Sequence, residues 1–119
     1  AQNTIQSSLQ ADPSIDGVLA LNPAIGVAAV DAVAGAGFEA QIATFDLSGD
    51  VVSAIEDGSI LFAVDQQQYL QGYVPIVLLK LYLDNNNILG GGQPVLTGPG
   101  FVTQENAAPV AELAEAGTR

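Results

Sequence analysis

The chain has 119 residues, 49% of them hydrophobic, and only Lys80 and Arg119 stand against 13 acidic side chains, for a formal net charge of −11. Such a charge repels phosphate, so nucleic acid, anionic membrane surfaces and strongly anionic small molecules are disfavoured as partners and a neutral ligand is expected. With no Cys and no His, disulfides, thiolate metal sites, the usual zinc sets and a histidine base are excluded, and no metal or other cofactor is expected.

Gln2 to Gln10 places Ile5 and Leu9 four residues apart on one helical face. Asp12-Pro13 ends that pattern, because the residue before proline is pushed out of the helical region. The opening Ala-Gln-Asn-Thr-Ile has neither the basic nor the apolar region of a signal peptide. The chain is therefore expected to begin within a domain, with any export signal removed or encoded upstream. Val18-Leu19-Ala20-Leu21, bounded by Asp16-Gly17 and Asn22-Pro23, is a short unbroken apolar run. It reads as a strand buried on both faces, as in parallel sheets.

Pro23 to Ala36 spaces Ile25, Ala28, Ala29, Val33 and Ala36 as a helix does, and Gly35 and Gly37 close it. Gln41 to Asp46 is a second strand ending on an acid. Ser48 or Asp50 can cap a helix carrying Val51, Val52 and Ile55, which Asp57-Gly58 stops. Ile60 to Val64 is a third buried strand, followed by Asp65-Gln66-Gln67. Strand and helix alternate with short connections, so the fold class is α/β, a parallel sheet between helices in three α/β/α layers.

Leu70 to Leu83 forms a broad apolar helical face with Tyr73, Val74, Val77, Leu78 and Leu81, and Pro75 is tolerable only near its first turn or at a kink. The apolar stretch from Tyr69 to Leu83 falls short of the ~18–20 residues a membrane span needs, so no direct membrane insertion is expected. Asn85-Asn86-Asn87 and Gly90-Gly91-Gly92 read as a loop. Pro94 to Thr103 reads as an extended segment interrupted by Gly98-Pro99-Gly100, and Ala107 to Ala116 as a short closing helix.

Three strands thus end on polar residues: Asn22, Asp46 and Gln66. In an open parallel sheet the carboxyl ends of the strands face one crevice, where ligands bind. A carboxylate accepts two hydroxyl protons and an amide both donates and accepts, which suits the mixed character of sugar hydroxyls. Each residue also has a plainer reading: Asn22 before Pro23 as a helix cap, Asp46 as a turn residue or cap, Gln66 and Gln67 as exposed strand ends.

Three stretches carry a family resemblance: Ala11-Asp12-Pro13-Ser14-Ile15-Asp16-Gly17-Val18-Leu19-Ala20-Leu21-Asn22, then Ala43-Thr44-Phe45-Asp46, then Glu56-Asp57-Gly58-Ser59-Ile60-Leu61-Phe62-Ala63-Val64-Asp65-Gln66-Gln67. Together they resemble the type I periplasmic sugar-binding proteins of ABC transporters, the group of ribose-binding protein. Leu96-Thr97-Gly98-Pro99-Gly100-Phe101-Val102-Thr103-Gln104-Glu105-Asn106 is similar to the segment that ends that family's chain. The resemblance implies a non-enzymatic, periplasmic or extracytoplasmic solute-binding component. Its partners would be a small neutral sugar or polyol and a membrane permease, and Asn22, Asp46 and Gln66 would bond the sugar. Pro23 stands where relatives often have Asp, and Leu47 where they often have Gly, which bears on which sugar is bound.

The resemblance also implies a two-lobed protein of which this chain is the C-terminal portion. Residues 1–67 would carry the ligand contacts, 68–97 would cross toward the N-terminal lobe, and 98–119 would supply the hinge return and the last helix. The Tyr69 to Leu83 face would then pack on the lobe not included here, and alone the chain is expected to self-associate and bind sugar poorly. The alternative of the same fold is the sugar-sensing effector domain of a LacI-type regulator, whose DNA-binding motif would lie upstream. A phosphoacceptor receiver would need an acidic magnesium pocket and a lysine that Asp12, Asp16 and Lys80 do not supply. For an enzyme, Asp46, Asp50 and Asp65 come with no nucleophile elbow, phosphate loop or metal-ligand spacing.

Overall fold

The computed structural model describes all 119 residues. Helix α1 (Gln2–Ala11) is followed by β1 (Gly17–Ala20), α2 (Pro23–Ala36), β2 (Gln41–Phe45), α3 (Gly49–Glu56), β3 (Phe62–Asp65), α4 (Gln68–Asn85), β4 (Gly100–Thr103) and α5 (Ala111–Glu115). Single 3₁₀ turns at Gly90–Gly92 and Ala108–Val110 punctuate the last third. Local signals place the boundaries: Asn22 and Ser48 accept backbone N–H bonds from Ile25 and Val51 at the starts of α2 and α3, and Gly37, in the left-handed region, ends α2.

The sheet order is β1-β2-β3-β4, with the first three strands parallel and β4 antiparallel to β3 at the edge. Of the extended segment Pro94 to Thr103, only Gly100–Thr103 is a strand, and it returns along β3 in the opposite direction. Helices α2 and α3 lie side by side on one face, with α1 against α2 and α5 against α3. Their core holds Val51, Val52, Ile55, Ile60, Ala63 and Ala29, all essentially without exposure. Burial of each Val or Ile among them stabilises the domain by roughly 1.5–3 kcal/mol.

The apolar strand runs predict burial on both faces. Within this chain the helices cover one face, so Val18, Ala20, Ile42, Ala63 and Val102 point into the core or pack against it, while Leu19 is 60% exposed. Phe45, Phe62, Val64 and Phe101 share that open face, where the Phe62 and Phe101 rings meet edge to face at 5.7 Å. Period-two alternation is the reason: each strand sends neighbouring residues to opposite sides, and only one side is packed by helices here.

Helix α4 departs from this layered body. It contains Pro75 and buries no residue, with Tyr73 60% and Leu83 78% exposed. It stretches the molecule to a radius of gyration of 17.8 Å, against about 13–14 Å for a compact chain of this length. No helix is long and apolar enough to cross a membrane.

Candidate functional site

The three polar residues named from the sequence follow the carboxyl ends of three adjacent parallel strands: Asn22 after β1, Asp46 after β2, Gln66 after β3. Asp46 and Gln66 meet directly, the Gln66 Nε2 amide donating to Asp46 Oδ1 at 2.9 Å. Asp46 sits in the left-handed region, φ 67°, where a short polar side chain is tolerated. Its backbone N–H donates to the Val64 carbonyl at 2.9 Å, which ties the β2 end to β3. With one oxygen engaged by Gln66, Asp46 keeps Oδ2 as an acceptor, and Gln66 keeps Oε1.

Asn22 is not joined to that pair by a hydrogen bond. Its Oδ1 accepts the Ile25 N–H at 2.9 Å, so the capping role is real, and the Nδ2 amide is what remains for any other partner. Its position relative to β2 is set from behind. Thr44, fully buried, donates from Oγ1 to the Asn22 carbonyl at 3.1 Å. Helix α2 comes close enough for this because residue 26 is glycine: a Cβ there would lie 2.7 Å from Thr44 Oγ1.

Beside Gln66 opens a cleft of about 580 Å³ between the open face of the sheet, α4 and the segment returning to β4, walled by Phe45, Val64, Leu70, Val74 and Leu96 among others. The two segments that pass this cleft are bonded to each other. Gln67 Nε2 donates to the Thr97 carbonyl at 2.6 Å. Thr97 Oγ1 donates to the Gln66 carbonyl at 2.8 Å, and Gln71 Nε2 reaches both that carbonyl and Thr97 Oγ1. The returning segment comes so near that a Cβ on Gly98 would stand 2.9 Å from the Asp65 carbonyl oxygen. Thr44, Gln67, Gln71 and Thr97 are not legible as site residues from the sequence, since each acts through a partner 22 to 31 residues away, Gln71 also through the Gln66 carbonyl five residues back.

Comparison with known proteins bears on the family and the fold. The family model described as periplasmic binding protein domain matches residues 1–87. The xylose/arabinose-binding protein of Sulfolobus acidocaldarius is 35% identical over 65 residues, 55% of this chain and 16% of its own length. The crystal structure of a carbohydrate transporter from Acidothermus cellulolyticus 11B in complex with myo-inositol superimposes with a TM-score of 0.95 at 47% identity, covering 99% of this chain and 41% of that one. A carbohydrate transporter solute binding protein from Agrobacterium radiobacter, in complex with D-arabinose, gives 0.76 at 25% identity, covering 95% of this chain and 38% of that one. The chain thus spans about two-fifths of the length of these solved chains. On the family match across residues 1–87 and the shared α/β architecture, the chain belongs to the periplasmic binding protein domain family, in its type I fold.

Proposed function

We propose that this chain is the ligand-contacting part of the extracytoplasmic solute-binding component of an ABC transporter, which captures a neutral monosaccharide or polyol and delivers it to a membrane permease without chemical change. The observation that carries the reading is the Asp46–Gln66 pair at the ends of adjacent parallel strands, bonded to each other yet each keeping one free acceptor. Hydroxyls donate to such oxygens, and the Nδ2 amide of Asn22 supplies a donor on the neighbouring strand end. A net charge of −11 suits an uncharged ligand. The similarity at 47% identity to a transporter crystallised with myo-inositol supports the polyol and sugar class.

In the same reading, residues 68–97 lead to a second lobe and back, and the open sheet face and α4 lie against the remainder of a two-lobed protein. The test is thermal denaturation of the intact protein against neutral sugars and polyols, including myo-inositol, arabinose and xylose. A ligand bound only by the folded state stabilises it by about 2.7 kcal/mol at a hundred times Kd, a clear rise in Tm. The bound compound should be recovered chemically unchanged. No rise with any member of the panel overturns the reading.

A further inference from the structure

We propose that Asp65 and Arg119 form a brace that positions Gln66 and the adjoining turn from the helix-covered side of the sheet; its ligand arm rests on the function proposed above. Asp65 ends β3 and is 0% exposed. Strand alternation sends its side chain to the packed face, away from the open one. Both carboxylate oxygens are occupied: Oδ1 accepts the Gln67 backbone N–H at 2.8 Å, and Oδ2 accepts Arg119 Nε at 2.7 Å.

These two bonds act at the point where the chain leaves the sheet. Gln67 has φ 58° and ψ 58°, a left-handed conformation that non-glycine residues rarely adopt. The carboxylate holds its N–H there, one residue from Gln66. Asp65 also touches the returning chain, pairing with Gly100 in the β3–β4 register and presenting its carbonyl to Gly98. One residue therefore contacts the outgoing segment, the returning segment and the Ala116–Arg119 stretch after α5.

A carboxylate shut away from water is strongly unfavourable unless a cation and hydrogen bonds compensate it. The chain has two cationic side chains, and Lys80 is engaged with Asp84 in an exposed pair on α4. Arg119, whose side chain is 36% exposed, is the one that reaches Asp65. Without it the buried carboxylate loses its partner at Oδ2, and the uncompensated charge loosens its hold on the Gln67 N–H and so on Gln66.

The test uses the intact protein, with myo-inositol and arabinose titrated by calorimetry and amide exchange followed at Gln67. In Arg119→Met the Gln67 amide exchanges faster and affinity falls about tenfold. Adding Asp65→Asn restores both to within about twofold of the starting protein, because the Asn carbonyl still accepts the Gln67 N–H and no charge is left buried. A single variant with unchanged exchange and affinity overturns the brace, as does a double variant no better than the single. Where Arg119→Met does not fold, recovery of folding on adding Asp65→Asn supports the brace and continued failure overturns it. Should the unaltered protein bind neither compound, the proposed function loses its support from these ligands, while Gln67 exchange across the three proteins still decides the brace.

Discussion

Replacing Asp46 by Asn separates ligand binding from folding more cleanly than any other change at the site. The backbone there is left-handed, φ 67°, a region Asn tolerates as readily as Asp, so the fold should stay within about 0.5 kcal/mol of its original stability. The Asn carbonyl oxygen can keep the bond from Gln66 Nε2, now 2.9 Å long. What then faces the ligand is an amide donor in place of a charged acceptor. Hydrogen bonds to a charged group contribute roughly 1.5–3 kcal/mol against about 1 for neutral ones. Loss of one, with the remaining polarity reversed, therefore costs about 1.4 kcal/mol or more, which is tenfold or more in Kd. Calorimetric titration of the intact protein with a sugar or polyol that raises its Tm measures the change, and a melt without ligand checks the fold. An unchanged Kd at matched stability would remove Asp46 from the site.

Gly26→Ala should lower stability by about 1–2 kcal/mol despite the better helix propensity of Ala, since its methyl group would stand 2.7 Å from Thr44 Oγ1 in a packed interface; a chemical-denaturation midpoint at or above the original would refute this. The Asp12 carboxyl is held below its ordinary pKa first by the Ser14 hydroxyl and then by the Ser14 backbone N–H. A depressed folded-state pKa means that what these bonds contribute is present above the ordinary carboxylate pKa and lost as pH falls through the lowered one. In Ser14→Ala the Asp12 titration midpoint, followed by NMR, should rise toward the ordinary value. The isolated 119-residue chain should associate in solution, because α4 presents Tyr73, Ile76 and Leu83 largely uncovered; a monomer mass by light scattering at high concentration would contradict it.

Much of this architecture follows from interactions within a few residues, and those the sequence shows by itself. Apolar runs bounded by Asp16-Gly17 and Asn22-Pro23, the helical spacing of Val51, Val52 and Ile55, and the caps at Ser48 and Gly37 define the order of strands and helices. Once three strands are joined by helical crossovers, their carboxyl ends share one edge, and Asn22, Asp46 and Gln66 are candidates on that ground alone. What each side chain does there depends on neighbours distant in sequence. Asn22 spends its oxygen on the Ile25 N–H, and Asp46 takes a bond from Gln66, 20 residues on. Arg119 closes on Asp65 across 54 residues, and β4 runs antiparallel to β3. The apolar strand runs could not say which face would be covered, because hydrophobicity records that a residue prefers burial and not what packs on it. Only the tertiary arrangement decides that, by placing α2 and α3 on one side of the sheet and leaving the other open.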